Sequence, residues 1–175
     1  MSSRYRVERL GKHDCSRFDC GIAELNDYLQ RQAGQDARRK VSVCHVLLET
    51  ATNEVAGFYT LSAGSVLLAD LPEGIVKKLP RYPTVPVVRI GRLAIDVRYQ
   101  GQKLGGVLLY DAIQRAASTD IGVYAVVVDA KNETAVTFYE RHGFQAFESQ
   151  PRILFLPVAS AAVASPTGRK LPRKS

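Results

Sequence analysis

A polar, glycine-rich stretch at residues 100–106 has the composition of a phosphate-binding turn. It follows an apolar segment, residues 87–95, and leads into a segment with helical periodicity. Where a strand leads into a helix, unpaired backbone N–H groups and the positive end of the helix dipole converge on a site that suits a pyrophosphate. The candidate cofactor-binding residues are therefore Gln100, Gly101, Gln102, Lys103, Leu104, Gly105 and Gly106, although a simple strand-to-helix turn is equally compatible with this stretch alone.

Tyr139 is the candidate for acid catalysis. The segment from Glu133 is predicted to be a helix, on which Ala135, Phe138 and His142 share one side and Tyr139 lies close to the Ala135 face. A phenol with a pKa of about 10 is protonated at neutral pH and can donate its proton to a leaving group. Taken alone, this spacing favours a packing tyrosine, but the motif around it, described below, favours the catalytic role.

These segments need a set of strands and helices to position them. The stretches with strand composition are residues 5–9, 41–49, 55–63, 87–95, 123–128 and 153–157. Helical periodicity appears at residues 22–35, and four prolines indicate that residues 65–86 are mostly loop with one short helix at 72–78. The order of elements predicts an α/β (α+β) domain, with a mixed, mostly antiparallel sheet of six to seven strands flanked by about four helices.

Composition limits the class of protein. The 175 residues are 46% hydrophobic and 23% charged, and no apolar run approaches the roughly 20 residues of a membrane span. The N-terminal residues lack the apolar segment of a secretory signal, so we expect a cytoplasmic location and no membrane partner. We predict one domain over residues 1–158 and a disordered basic tail over residues 159–175.

The charged and metal-binding residue types are less informative. The three cysteines and three histidines show no ligand spacing, so no metal site is expected, and Cys44 is predicted to pack as a small hydrophobic residue. The formal net charge is +7, and four of the basic residues lie in the last seven positions: Arg169, Lys170, Arg173 and Lys174. This excess favours phosphate-rich partners without specifying which.

Residues 89–144 together resemble the acyl-CoA-binding core of the GNAT N-acetyltransferases. The turn matches that family's Gln/Arg-x-x-Gly-x-Gly/Ala pattern at Gln100 and Gly105, while Lys103 takes the place of the first glycine. The later motif matches at Asn132-x-x-Ala135-x-x-Phe138-Tyr139. The resemblance implies the GNAT fold, acetyl-CoA as acetyl donor, Tyr139 as acid, and Asn132 and Phe138 as cofactor-binding residues. Because a helix N-terminus needs no positive φ, we expect ordinary right-handed backbone at Lys103.

The resemblance also gives a role to the strand before the turn. In the family this strand splays from its neighbour, and its free backbone groups pair with pantetheine in the manner of β-augmentation. This implies that Leu93, Ala94 and Ile95 bind the cofactor, and that an N–H among them stabilises the developing oxyanion. The sequence marks no glutamate or histidine as general base. None is required, since an α-amine next to an ester is partly neutral at pH 7.

Segments outside this core resemble the GNAT-type toxins of bacterial type II toxin–antitoxin modules. They are Phe18-x-Cys20-Gly21-x-x-x-Leu25-Asn26-x-Tyr28-Leu29 and residues 57–63, 79–83 and 89–96. The resemblance spans about residues 5–157 and implies acetyl transfer to the amino group of an aminoacyl-tRNA, which inhibits translation. It also implies a cognate DNA-binding antitoxin of the ribbon-helix-helix type. We further expect a homodimer, with the apolar residues 153–156 as a candidate interface.

Basic residues agree with a tRNA partner. Arg38, Arg39 and Lys40 end the first helical region, and Arg89 and Arg92 lie near the cofactor strand. Such side chains fix phosphates without reading bases, although exposed lysines and arginines are usually solvated surface. Two alternatives stay open at this point. One is an acetyltransferase for a small-molecule or protein amine, and the other is a non-catalytic CoA-binding partner of a DNA-binding regulator.

Overall fold

The computed structural model describes residues 3–161, which are organised around a sheet in the order β1-β2-β3-β4-β5-β7-β6. The strands are β1 (Tyr5–Arg9), β2 (Val43–Glu49), β3 (Val55–Leu67), β4 (Thr84–Ile95), β5 (Ala125–Asp129), β6 (Gln145–Ala146) and β7 (Ile153–Pro157). Neighbours are antiparallel except β4 and β5, which are parallel. The predicted mixed, mostly antiparallel sheet is confirmed.

Helices cover both faces of the sheet. They are α1 (Ala23–Asp27), continued by a π-helical turn (Tyr28–Gln32) and α2 (Ala33–Arg38), then α3 (Glu73–Val76), α4 (Leu104–Ala117), α5 (Glu133–Arg141) and α6 (Val158–Ala161). Along β2, Val46 and Leu48 pack with the α1 side, and Leu47 packs with α4. Alternate side chains of a strand point to opposite faces, so α1 and α4 lie on opposite sides of the sheet.

The β3–β4 hairpin is longer than the sequence indicated. Residues 65–86 were expected to be mostly loop, but Ser65 pairs with Pro86 and Val66 with Val85. Val66 and Val85 are buried in a cluster with Phe155, and this burial extends the strand pairing across the proline-rich segment. The short helix is present as α3, and Pro72 is its N-cap residue.

Two of the predictions concern the C-terminal part of the chain. The tail predicted at residues 159–175 lies outside the described residues except for 159–161, which belong to α6. Residues 153–156, expected as a candidate interface, are instead interior: β7 pairs with β5 and β6, and Leu154 and Phe155 have no exposed surface.

Within residues 3–161, the helices are too short or too polar to cross a bilayer.

Candidate active site

Strand β4 separates from β5 at Gly91. The two strands pair from Val87 and Ala125 to Ile90 and Val128, and among residues 3–161 the rest of β4 has no strand partner on that side. A bulge marks the same point, since Ile90 and Arg92 pair with consecutive residues of β3 and Gly91 is the extra residue. The splay expected from the family resemblance is therefore present.

The unpaired part of β4, residues 91–95, presents a free backbone edge. Asp96 N–H donates to the Ala56 carbonyl of β3 at 2.8 Å. Successive N–H groups of a strand point to opposite sides, so those of Leu93 and Ile95 point away from β3. Ala94 is turned toward β3, opposite Phe58, and its side chain is buried. Of the three strand residues predicted to bind cofactor, Leu93 and Ile95 direct their N–H groups to the open side of β4.

Several side chains of the turn after β4 make contacts within the protein. Gln100 Nε2 donates to the Ile95 carbonyl at 2.9 Å, and Gln102 Oε1 accepts from the Tyr5 hydroxyl at 2.8 Å. Leu104 is buried in the core. Gln102 and Leu104, both predicted to bind cofactor, can therefore meet a phosphate through their backbone groups.

Lys103 departs from the expected right-handed backbone, and that expectation was wrong. Its φ is +60°, in the left-handed region, at the N-cap of α4, and Gly101 has a φ of +83°. Tyr99 and Leu104 insert into the same core cluster, so the residues between them must turn sharply. For lysine this conformation costs about 1 kcal/mol.

The start of α4 fits a pyrophosphate. Its first N–H groups have no partners within the helix, and they carry the positive end of the helix dipole. Around Gly101 the space is open, since within the described part of the chain no heavy atom beyond its chain neighbours lies within 4 Å of a hypothetical Cβ, and the Lys103 side chain is exposed. The chain therefore offers backbone donors, room and a positive charge at one place.

Gly105 and Gly106, both predicted to bind cofactor, also lie against helix α5. A Cβ at Gly105 would lie 3.5 Å from the Phe138 ring, and one at Gly106 would lie 3.0 Å from His142 Nε2. These two glycines let α4 approach α5 closely. Phe138, predicted to bind cofactor, is half-buried at this helix contact.

Helix α5 packs Tyr139 against the same core cluster as Leu93 and Ile95. Its N-cap is Asn132, whose Oδ1 accepts from Ala135 N–H at 2.9 Å, so this predicted cofactor residue has a capping role. Tyr139 packs against Phe138 and Phe144, with ring centroids 5.1 and 5.4 Å away. Burial raises the pKa of Tyr139 to about 12. The hydroxyl is therefore protonated at neutral pH.

A cleft of about 590 Å³ opens on the α1 side of the sheet, beside the point where β4 leaves β5. It is lined by Glu24, Leu25, Asp27, Tyr28, Arg31, Gln32, Gly91, Arg92 and Lys131. Sequence reasoning identified Arg92 and missed the others. The helical periodicity of residues 22–35 assigned Tyr28 to a core stripe, and it carried no signal for the π-helical turn that brings Tyr28, Arg31 and Gln32 together.

Arg92 is held in this cleft by an aromatic contact. Its guanidinium carbon lies 3.5 Å from the centroid of the Tyr28 ring. The Tyr28 hydroxyl donates to Asp36 at 2.8 Å, and Gln32 Nε2 donates to the same carboxylate at 2.8 Å. These bonds from Gln32 and Tyr28 lower the pKa of Asp36, and the charges of Arg92 and Arg39 add to the effect.

The structure brings only some of the predicted tRNA-binding residues together. Arg39 and Arg92 both lie near Asp36, while Arg38 and Lys40 are exposed at the end of α2. Arg89 is half-buried and pairs with Val127, outside the lining of the cleft. Arg31 and Lys131 add two positive charges that the sequence did not mark.

Comparisons with known proteins agree with this geometry. The family model described as an acetyltransferase (GNAT) domain matches residues 74–153. The tRNA-acetylating toxin of Mycobacterium tuberculosis (strain ATCC 25618 / H37Rv) is 36% identical over 150 residues, which are 85% of this chain and 88% of the relative.

Solved structures are similar over nearly the whole chain. AtaT complexed with acetyl-methionyl-tRNAfMet has a TM-score of 0.85 and 33% identity, covering 91% of this chain and 98% of AtaT. A variant of the AtaT toxin bound to the C-terminus of the antitoxin AtaR and acetyl-CoA has a TM-score of 0.77 and 29% identity. The match covers 92% of this chain and 98% of the AtaT variant.

Proposed function

Because the chain belongs to the GNAT acetyltransferases, we propose that it is a toxin of that family that transfers the acetyl group of acetyl-CoA to the amino group of an aminoacyl-tRNA. Blocking that amine inhibits translation. The observation that carries the proposal is the relation to a tRNA-acetylating toxin over 85% of this chain, well beyond the residues that the family model matches. The basic cleft beside the splayed strand supports it.

The described residues fit acetyl-CoA, which supplies the acetyl group as a thioester. The free N–H groups at the start of α4 and the open space at Gly101 suit its diphosphate. The free edge of β4 suits its amides, because Leu93 and Ile95 leave backbone groups unpaired there. Lys103 adds one positive charge to the turn.

Tyr139 holds the proton that the leaving thiolate needs. A positive charge beside a tyrosine would lower its pKa and favour loss of the proton. For Tyr139 the shift comes from burial, which raises the pKa to about 12. The hydroxyl therefore donates rather than accepts a proton. One backbone N–H of this strand segment would stabilise the negative charge that develops on the reacting carbonyl oxygen.

The cleft gives the acceptor amine and its nucleic acid separate surroundings. Glu24 and Asp27 supply carboxylates that attract an amine. Arg31, Arg92 and Lys131 supply positive charge for phosphates. We extend the tRNA surface from these residues to Arg38, Arg39, Lys40 and Arg89.

Labelled acetyl-CoA with bulk charged tRNA tests the proposal. Acetyl should appear on the aminoacyl group with wild-type protein, and Tyr139→Phe should transfer it far more slowly. If polyamines or peptides are labelled and charged tRNA is not, the acceptor is a small-molecule or protein amine. If nothing is labelled, the chain is a non-catalytic CoA-binding partner.

The basic surface is tested by the salt dependence of tRNA binding. Each phosphate contact contributes about 0.7 to 0.9 to the slope of log affinity against log salt. Replacing Arg38, Arg39 and Lys40 by alanine should reduce that slope by up to about 3, with acetyl-CoA affinity as the control. An unchanged slope would remove these residues from the tRNA surface.

Two assembly proposals accompany the enzyme. The first is a cognate DNA-binding antitoxin of the ribbon-helix-helix type, supported by the AtaT relative bound to the C-terminus of its antitoxin. Co-purification of the product of a neighbouring reading frame, with loss of acetylation in the complex, tests it. The second is a homodimer, which light scattering of the purified chain tests.

A further inference from the structure

We propose that Tyr28 and Arg92 form a stacking platform for the terminal adenine of the tRNA acceptor strand. This inference rests on the proposed function and names the residues that would recognise the end of the substrate. Arg92 was expected to contact phosphate through its charge. Its geometry indicates a more specific role.

The Arg92 guanidinium is fixed as a flat surface. Its central carbon lies 3.5 Å from the Tyr28 ring centroid, which is the spacing of a face-to-face contact. Tyr28 is itself fixed, because it stacks on Phe58 at an interplanar angle of 18° and donates from its hydroxyl to Asp36. Tyr28 is only 7% exposed.

One face of this guanidinium is covered by Tyr28, and the residue borders the cleft. Arg92 is half-buried and lines the same space as Tyr28, Gly91 and Lys131. Unstacked bases of single-stranded ends pack on aromatic rings and on arginine planes. A base on the cleft side of Arg92 would complete a three-layer stack in which the arginine lies between two π systems.

The platform is also in the right place for the reaction. Arg92 immediately precedes Leu93, whose N–H belongs to the free edge of β4. A terminal nucleotide stacked on Arg92 therefore carries its aminoacyl ester toward the splay between β4 and β5. Asp36 is already engaged by Tyr28 and Gln32, which leaves the N–H groups of Arg92 available for the adjoining phosphate or sugar.

The test uses two acceptor minihelices that carry the same amino acid through a stable 3′-amide. One ends in adenosine and the other in an abasic ribose. With wild-type protein, removing the base should lower kcat/KM for acetylation by a factor between about 5 and about 160, which corresponds to about 1–3 kcal/mol for stacking on one base. With Arg92→Lys, which keeps the charge and loses the plane, both minihelices should react at similar rates.

Two further variants separate stacking from general effects. Arg89→Lys should weaken binding of both minihelices and keep the difference between them. Tyr28→Phe keeps the ring but loses the bond to Asp36, so it should keep most of the difference, and Tyr28→Leu should lose it. Thermal unfolding and acetyl-CoA affinity report whether each variant is folded.

The outcomes are distinct. If base removal costs wild type and Arg92→Lys the same factor, or costs wild type nothing, the platform is overturned while aminoacyl-tRNA acetylation stands. If wild type acetylates neither minihelix nor charged tRNA, the proposed function fails, and the platform fails with it. If only wild type, Arg89→Lys and Tyr28→Phe distinguish the minihelices, the platform is supported.

Discussion

Tyr139 acquires its chemistry from the packing of α5 rather than from a charged neighbour. Its ring lies between Phe138 and Phe144, and burial alone raises the pKa to about 12. A phenol in this state keeps its proton through the whole neutral range. The residue is therefore suited to protonating a leaving group, whereas the acceptor amine must lose its own proton before it reacts.

Tyr139→Phe should lower kcat by a factor of about 10² to 10⁴, the usual range for removal of a general acid. Thermal stability should change little, because the ring contacts remain. In wild type, activity should rise with pH as the amine with a pKa of about 8 deprotonates, without a decline due to Tyr139 below about pH 10. Steady-state kinetics across this pH range measure the kcat of Tyr139→Phe and the pH dependence of wild type. Full activity of Tyr139→Phe would contradict the acid role.

Lys103 combines a strained backbone with a charge at the cofactor turn. Lys103→Gly should raise the free energy of unfolding by up to about 1 kcal/mol, because glycine adopts positive φ without a steric cost. It should also weaken acetyl-CoA binding, because the charge is lost. Chemical denaturation and calorimetric titration measure the two effects.

A second lysine provides the control for Lys103. Lys40 has a φ of +59°, at the end of α2 and away from the cofactor turn. Lys40→Gly should therefore give a similar gain in stability with unchanged acetyl-CoA affinity. Equal loss of acetyl-CoA affinity in both variants would show that the Lys103 charge does not act on the cofactor.

At the scale of elements, the position of β4 decides whether a cofactor edge exists. Gly57 of β3 supports that edge from behind, opposite Ile95. A Cβ at Gly57 would lie 2.7 Å from Ile95 Cδ1 and 2.9 Å from the Ala94 carbonyl oxygen. The isoleucine side chain can move, but the carbonyl belongs to the strand itself.

Gly57→Ala should therefore lower the free energy of unfolding by about 1–3 kcal/mol, as other overpacked sites do. It should also weaken acetyl-CoA binding, because β4 must shift. Gly64→Ala is the matched control in the same strand, since its Cβ would make an ordinary contact 3.6 Å from Val87 Cγ2. If both variants bind acetyl-CoA as wild type does, the free edge of β4 is not the cofactor edge.

At the scale of the whole molecule, a buried histidine links stability to pH. His45 is 6% exposed and stacks on Tyr59, and among the described residues its Nδ1 has no hydrogen-bond partner. Burial lowers the pKa of His45 to about 4, and the charge of Arg115 acts in the same direction. The unfolded chain, with a histidine pKa of 6.5, takes up the proton first as the pH falls.

The free energy of unfolding should accordingly decrease by about 3 kcal/mol between pH 6.5 and pH 4 on account of His45. His45→Phe keeps a ring against Tyr59 and cannot take up a proton, so it should remove that part of the dependence. Denaturant titrations across this pH range measure the difference. Parallel curves for the two proteins would contradict it.

Much of the fold could be predicted from the sequence. The glycine-rich turn, helix α5 and strand β7 depend on residues close together in the chain, so periodicity and turn chemistry reveal them. The backbone of Lys103 could not be predicted in this way. It follows from the need to bring both Tyr99 and Leu104 into one core cluster.

The sequence by itself determined the order of most strands and helices, because local spacing governs them, and its motifs marked the candidate cofactor turn and the candidate acid. Tertiary structure alone decided the acceptor side. The contact of Tyr28 with Arg92 joins the π-helical turn to β4, and it exists only because the sheet brings those distant segments together. The same packing buries residues 153–156 and leaves the edge of β4 unpaired, because the pairing of each strand depends on its contacts in the whole sheet.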